Sequence, residues 1–212
     1  MTIPSSSTYE VETRFRFLSP DEVWNILPMF QPYINQEIEW NTIHYGPDLF
    51  QTDQILRINH TIRQGKSSSS LGWKEPDQGK SVNIRLETEE DITSGIKNSN
   101  ILARLSGKKN FESSSAVADE LIRLGHPKFM TFSGKNLTGE YQPQGFHLKL
   151  MLASDPPLRY PLLLEIEKTA HSLEEAAEFE RELLEFVRLY RLEDRVVREE
   201  PPALLYQALK LR

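Results

Sequence analysis

Cysteine is missing from the 212-residue sequence, and its absence excludes disulfides, thiolate metal sites and cysteine nucleophiles together. The sequence also lacks an apolar run near the roughly 20 residues that a membrane-spanning helix needs, so we expect no membrane association. Its first ten residues, MTIPSSSTYE, contain neither the basic nor the apolar region of a secretory signal. We therefore expect a soluble protein of the cytoplasm.

Basic residues are outnumbered by acidic ones, 25 to 31, which gives a formal net charge of −6. This balance argues against a broad nucleic-acid-binding surface, which is normally basic, but it allows a small anionic ligand in a local basic pocket. The tripeptide GKS occurs twice, yet neither copy belongs to a phosphate-binding P-loop, because His60 and Lys74 stand where that motif needs its first glycine. The five histidines lack metal-ligand spacing, and we expect surface or packing positions for all of them. They are His44, His60, His126, His147 and His171.

Hydrophobic periodicity predicts a single α+β domain over residues 9–212, preceded by a flexible tail over residues 1–8. A first strand is followed by a helix that Ser19 caps. Strand-like segments then fill most of residues 40–92, and a polar stretch occupies about 93–112. The first half of the chain is therefore dominated by strands.

The second half of the chain alternates helices with strands. A short helix capped by Ser115 and ended by Gly125 comes first. Strands are expected around 128–135, 146–152 and 162–168. The longest helix follows Ser172, and its Glu/Arg-rich face would allow a homodimer, although we expect it to pack on the outside of the sheet. Its apolar positions include Leu173, Ala177, Leu184 and Val187.

Charged residues occupy every second position of the first strand, YEVETRFRF. They are Glu10, Glu12, Arg14 and Arg16. Because successive side chains of a strand point to opposite faces, one face carries all four charges. If this face meets solvent, the segment is an ordinary amphipathic strand. If it faces inward, carboxylates and guanidinium groups share an enclosed space.

Other strands repeat this alternation. The charged or polar residues of their faces are Arg57, Asn59 and Arg63 in ILRINHTIR, Arg85, Glu87 and Glu89 in VNIRLETE, and Glu165 and Glu167 in LLLEIEK, with Lys74 and Lys135 as isolated cations. A sheet with one solvent-exposed face explains the pattern, and so does a barrel with its charged faces inward. Such a barrel must neutralise its lining, because isolated buried charges are costly. A divalent metal, which binds carboxylates, and a polyphosphate, which binds arginine and lysine, would complete that neutralisation.

The ordered series of these motifs resembles the CYTH domain of the triphosphate tunnel metalloenzyme superfamily. EVETR resembles the E-x-E-x-K signature that opens that domain. The motifs that follow in the order of the family are LRI (56–58), GWKEP (72–76), RLETE (85–89), FSGKN (132–136) and LLLEIEK (162–168), with ALLYQALK (203–210) near the family's C-terminal segment. The resemblance covers nearly the whole chain.

The resemblance implies a closed antiparallel β-barrel of about eight strands, with helices outside and the charged faces forming a tunnel. It also implies Mg²⁺ or Mn²⁺ as cofactor and a small triphosphate or polyphosphate as partner. The metal-side carboxylates would be Glu10, Glu12, Glu165 and Glu167, supported by Glu87 and Glu89. Phosphate would be held by Arg14, Arg57, Lys74, Arg85 and Lys135. Glu12, Glu167 and Lys74 would be the catalytic residues.

The leading functional hypothesis is a metal-dependent triphosphatase, in which activated water attacks the terminal phosphorus of inorganic tripolyphosphate, a nucleoside triphosphate or thiamine triphosphate. Three positions depart from the family pattern. Arg14 replaces a lysine, Asn59 replaces a second arginine, and Lys149 stands where many relatives have an aspartate. The alternatives are a class IV-like adenylate cyclase and a non-catalytic tunnel that binds polyphosphate or nucleotide.

Overall fold

Eight antiparallel strands close into a barrel, because the first strand pairs with both the eighth and the fifth. The computed structural model describes residues 7–210; most of the expected tail, residues 1–6, and residues 211–212 lie outside the described part. The strands are β1 (Thr8–Phe17), β2 (Gln36–Tyr45), β3 (Ile55–Arg63), β4 (Lys66–Lys74), β5 (Asn83–Asp91), β6 (Lys128–Tyr141), β7 (Phe146–Asp155) and β8 (Leu162–Ala170). Their spatial order is β5-β4-β3-β2-β6-β7-β8-β1, and the β1–β5 pairing closes the ring. The expected barrel is confirmed, whereas the single domain over 9–212 stays a prediction.

Helices and a short added strand surround the barrel. The helices of residues 7–210 are α1 (Pro20–Ile26), α2 (Pro47–Gln51), α3 (Asn100–Arg104), α4 (Ser114–Arg123), α5 (Leu173–Leu189) and α6 (Pro201–Lys210), with 3-10 turns at Pro28–Phe30 and Glu193–Arg195. The two-residue strand β9 (Val196–Val197) pairs with β1. None of the helices in this part of the chain has an apolar stretch long enough to cross a membrane.

The hydrophobic core lies outside the barrel, between the strands and the helices. On one side α1 and α5 cover β1, β7 and β8, where Phe15 and Leu164 are fully buried. On another side α3 and α4 cover β3 and β4, with Leu71, Ile101 and Leu121 fully buried. Because the apolar faces are used in this way, the charged faces of the strands are left for the interior of the barrel.

The longest helix, α5, packs on the outside of the barrel, as expected. Ser172 caps it, accepting a hydrogen bond from the Glu175 backbone N–H at 3.1 Å. Its buried residues are Ala176, Leu183, Phe186 and Val187. Of the apolar positions named from the sequence, Val187 is buried and Leu184 is partly buried, whereas Leu173 and Ala177 are exposed.

Two smaller expectations about the region before β6 need correction. The helix α4 is capped by Ser113 instead of Ser115, since the Ala116 backbone N–H donates to Ser113 Oγ at 3.2 Å. Three consecutive serines, residues 113–115, stand where the helix begins, so the sequence alone does not single out the cap. The polar stretch 93–112 contains the short helix α3, which Ser99 caps.

Strand β6 continues to Tyr141 instead of ending near residue 135. Gly139 lies within this extension of the strand. A Cβ at this position would lie 1.9 Å from the carbonyl oxygen of Tyr33. The glycine therefore permits a close approach of two backbones inside a continuing strand.

The C-terminal helix α6 plugs one end of the barrel. Leu204 packs with Met151 and Leu163, and Leu205 packs with Phe132. These contacts fill that end with apolar side chains, so an elongated polar ligand would enter from the opposite end.

Candidate active site in the tunnel

The inward faces of the strands enclose a cavity of about 210 Å³. Leu205, with the first two prolines of α6, lines its plugged end. Arg63, Thr138 and His147 line both this cavity and an outer one of about 390 Å³, which places the mouth of the tunnel at these residues. The charged faces predicted from strand alternation therefore do converge on a shared interior.

Three of the expected metal-side carboxylates meet in the tunnel. One oxygen of each of Glu10, Glu12 and Glu167 lies within 4.8 Å of the other two. Glu12 and Glu167 stand directly opposite each other in the β1–β8 pairing, and Glu10 is one inward position further along β1. Carboxylate oxygens at this separation are the donor set that a hard divalent cation prefers, so the cluster could hold a metal ion.

The electrostatic surroundings of Glu12 also fit a cation site. Burial raises the pKa of Glu12 well above its usual range, and the neighbouring Glu165, Glu167 and Glu200 raise it further against the opposing effect of Arg14. An adjacent divalent cation would reverse this effect, since an opposite charge favours the ionised form.

Arg14 is held by three carboxylates and keeps one nitrogen unused. Its Nε donates to Glu165 Oε1 at 3.0 Å, its Nη2 lies 2.9 Å from Glu200 Oε2, and Nη2 also pairs with Glu12. Arg14 is 1% exposed and lines the cavity, while its Nη1 has no hydrogen-bond partner among the described residues. A buried guanidinium N–H without a partner favours binding of an anionic oxygen.

Arg57 and Lys74 form the second cationic group of the tunnel. Arg57 Nη2 donates to Glu87 Oε1 at 2.8 Å, and its buried Nε has no partner in the described residues. Lys74 Nζ pairs with Glu10 and lies 3.5 Å from Glu87 Oε2. Burial acts to lower the pKa of Lys74, but Glu87 and the other carboxylates outweigh it and raise that pKa. Both side chains therefore stay cationic at neutral pH.

Lys149 brings another cation into the tunnel. It stands opposite Glu165 in the β7–β8 pairing, and its Nζ contacts Glu165 Oε2. Burial acts to raise the pKa of Glu165, but Lys149 and Arg14 hold it below its usual range. Glu165 is thus an ionised partner of two cations.

Three of the expected site residues take no part in the carboxylate cluster or in its pairing with the tunnel cations. Arg85 uses its guanidinium fully, on Glu200 Oε1 at 2.9 Å, on Asp53 and on the Glu75 carbonyl oxygen, and it faces a separate cavity. Lys135 is exposed on the outer face and pairs with two surface glutamates, because the neighbouring Gly134 and Asn136 take the inward phase of β6. Glu89 is exposed and accepts from Ser70. The structure does not bring these three to the phosphate or metal positions.

Glu200 and His147 are tunnel residues that were missed in the sequence. Glu200 is 7% exposed and lines the cavity, and its carbonyl accepts from the Leu204 backbone N–H at 3.1 Å, at the start of α6. Two prolines after a glutamate predict a helix start, but no periodicity shows that this glutamate turns inward. His147, expected on the surface or in packing, lies at the mouth with Nδ1 3.7 Å from Glu167 Oε2. His147 lies two positions before Lys149 on β7, so strand alternation would have placed both side chains on the same face.

No protein-family model and no curated protein matches the chain. Solved structures do resemble it. PH1819 from Pyrococcus horikoshii OT3 has a TM-score of 0.71 and 20% identity over 94% of this chain and 99% of its own. A putative adenylate cyclase from Vibrio parahaemolyticus has a TM-score of 0.58 and 15% identity over 95% and 99%.

A third neighbour is HpAC1 from Hippeastrum, a putative adenylyl cyclase with a dominant triphosphatase activity. Its TM-score is 0.58, with 15% identity over 95% of this chain and 96% of its own. At these identities the likeness establishes the fold. The tunnel barrel implied by the resemblance to the CYTH superfamily is therefore confirmed.

Proposed function

We propose that this chain is a metal-dependent phosphohydrolase that cleaves the terminal phosphate of a linear triphosphate inside its tunnel. One observation carries the proposal. Glu12, one of three clustered carboxylates that could hold a cation, lines the same cavity as two arginines with unpartnered N–H groups. Carboxylates for a metal and guanidinium groups for phosphate are the two halves of a metal–triphosphate site.

Glu10, Glu12 and Glu167 would hold the ion, with Mg²⁺ or Mn²⁺ as the proposed choice. A bound ion of this kind supplies Lewis-acid polarisation of a phosphoryl oxygen and neutralises developing charge. Lys74 would shift toward Glu87, 3.5 Å from its Nζ, when Glu10 turns to the ion. This alternative partner keeps Lys74 paired and inside the tunnel.

The arginines would bind and orient the phosphate chain. Arg14 Nη1 and Arg57 Nε are buried donors that a phosphate oxygen would satisfy, and Arg63 at the mouth would meet the outer part of the ligand. In the hydrolysis, the water oxygen bonds to the terminal phosphorus while the bridging P–O bond breaks, and the leaving diphosphate keeps the bridging oxygen. The fixed cationic side chains would stabilise the negative charge on the transferred phosphoryl group and on the leaving diphosphate during this step.

A second candidate is cyclisation of ATP, which two of the neighbours favour through their description as putative adenylate or adenylyl cyclases. In that reaction the ribose hydroxyl would attack the innermost phosphorus and pyrophosphate would leave. A third candidate is a tunnel that binds polyphosphate without turnover, which the pairing of its cations with glutamates favours. A cytoplasmic location stays a prediction.

A product screen distinguishes the candidates. The purified chain is incubated with tripolyphosphate, nucleoside triphosphates or thiamine triphosphate, each with Mg²⁺ or Mn²⁺. Free phosphate supports the hydrolase, and cyclic AMP with pyrophosphate supports the cyclase. Saturable binding of tripolyphosphate without any product supports the binding tunnel. Absence of both binding and product would refute all three.

A further inference from the structure

The six glutamates expected on the metal side would suffice for two ions, but the structure separates them into two groups. Oxygens of Glu10, Glu12 and Glu167 lie within 4.8 Å of one another. Glu10 and Glu12 also pair with Lys74 and Arg14, but the other three glutamates lie outside this cluster and are likewise engaged by side chains of the protein. They are Glu87 with Arg57 and Lys74, Glu89 with Ser70, and Glu165 with Arg14 and Lys149.

Glu165 is the decisive member of the second group, because it is buried beside Glu12 and Glu167 yet each of its oxygens lies against a cationic side chain. Oε1 accepts from Arg14 Nε at 3.0 Å, and Oε2 contacts Lys149 Nζ. Glu165 is 3% exposed. A second ion would therefore have to displace a buried guanidinium or a lysine ammonium.

Glu10 and Glu165 each pair with a lysine. The two lysines differ in which carboxylate would remain nearby if the glutamate turned to a metal ion. Lys74, the partner of Glu10, has Glu87 as an alternative acceptor at 3.5 Å. Within residues 7–210, Glu165 is the only carboxylate group in ion-pair contact with Lys149, while Glu12 and Glu167 act on its charge from further away. Releasing Glu165 would therefore leave Lys149 without a carboxylate within 4.0 Å, which is unfavourable for a partly buried charge.

We infer that the tunnel binds a single divalent ion, at Glu10, Glu12 and Glu167, and that the Lys149 ammonium takes the place of a second cation beside Glu165. The inference rests on the proposed metal-dependent function and specifies its metal content. Lys149 repels a second ion directly and also occupies the carboxylate that would bind it. The remaining positive charge for the triphosphate would come from fixed side chains.

The test is the number of Mn²⁺ ions bound per chain. The full chain, without triphosphate, is titrated with Mn²⁺, and the free ion is followed by its electron paramagnetic resonance signal. Wild type should bind one ion, and Lys149→Gln should bind two, because Glu165 Oε2 becomes available to the second. Lys168→Gln is the matched control, since Lys168 is an ion-paired lysine that contacts Glu182 on α5, and it should bind one.

Each outcome decides a separate point. Two ions in wild type would overturn the inference while leaving the metal-dependent function in place. One ion in a folded Lys149→Gln variant, with its circular dichroism melt retained, would overturn the role given to Lys149. If that variant does not fold, the wild-type stoichiometry decides the single-ion claim. Binding of no ion by wild type would reject the metal site itself, and with it the proposed function.

Discussion

Arg14 Nη2 lies 2.9 Å from Glu200 Oε2, and this ion pair joins the first barrel strand to the helix that plugs the barrel. Behind it, Arg85 Nε holds the other Glu200 oxygen at 2.9 Å, and Asp53 binds Arg85 at 2.8 Å. A row of four charged side chains therefore runs from an exposed aspartate to the tunnel. Its effect is to fix Arg14 against Glu200 while leaving Nη1 for a ligand.

Replacing Glu200 with glutamine should lower both stability and phosphate affinity. Removing one member of a buried ion pair leaves the opposite charges buried without a charged partner. We therefore expect the free energy of unfolding in urea to fall by about 3 kcal/mol. Tripolyphosphate affinity should fall as well, because Arg14 loses its orientation. The control is Glu199→Gln, an exposed neighbour that lies 3.3 Å from Arg159 and should change stability by less than about 1 kcal/mol. Equally small changes in stability and in tripolyphosphate affinity for the two variants would show that Glu200 does not hold Arg14 in place.

Arg57 and Lys135 offer a matched pair for phosphate binding. Arg57 lines the tunnel with an unpartnered Nε, whereas Lys135 lies on the outer face. Arg57→Gln should weaken tripolyphosphate binding by at least about tenfold, because a hydrogen bond to a charged group contributes about 1.5–3 kcal/mol. Lys135→Gln should leave affinity unchanged. Calorimetric titration without added metal measures both, and a reversed order would place the phosphate site outside the barrel.

His44 should make the protein less stable in mild acid. Burial, and then the nearby Arg57, lower its pKa to about 3 from 6.5. Between pH 6.5 and about 3 the unfolded chain binds a proton that the folded chain does not, so stability falls as the pH is lowered through this range, by up to about 1.4 kcal/mol per pH unit.

The variant His44→Phe should remove this component, since its ring would meet Phe129 and Phe132 without a titrating group. Urea unfolding from pH 7 to 5 gives the comparison, in which all other groups titrate alike in both proteins. Parallel stability curves for wild type and variant would show that His44 is not buried in neutral form.

The register of α5 predicts unequal effects at two adjacent leucines. Leu183 is fully buried against the barrel, and Leu184 is only partly buried. Leu183→Ala should lower the free energy of unfolding by about 2–5 kcal/mol, and Leu184→Ala by about 1 kcal/mol. Thermal or urea unfolding measures both. The opposite order would show that Leu184, and not Leu183, is the side chain that packs against the barrel.

Strand alternation predicted the inward carboxylates because a period of two is a local property of the chain. Glu10, Glu12 and Glu167 converge since each lies in an uninterrupted alternating strand and pairing then fixes which face turns inward. Lys135 was misplaced because it is a lone cation without a charged residue two positions away to set its phase. Arg85 was placed correctly on its strand, but its partners come from distant segments.

The remaining features depend on contacts between distant parts of the chain. Glu200 turns inward only because α6 enters the end of the barrel, which no local pattern records. The face that α5 buries was ambiguous because Ala176 and Ala177, and Leu183 and Leu184, are adjacent apolar pairs. Packing against the barrel determines which residue of each pair is buried.

Phosphate release from tripolyphosphate, compared between Glu167→Gln and Glu199→Gln, tests the central claim most directly. Wild type and Glu199→Gln should release phosphate with Mg²⁺ or Mn²⁺, and Glu167→Gln should lose the activity by at least about 100-fold, because it removes one oxygen ligand from the carboxylate cluster. A Glu167→Gln protein that hydrolyses tripolyphosphate at the wild-type rate would contradict the account.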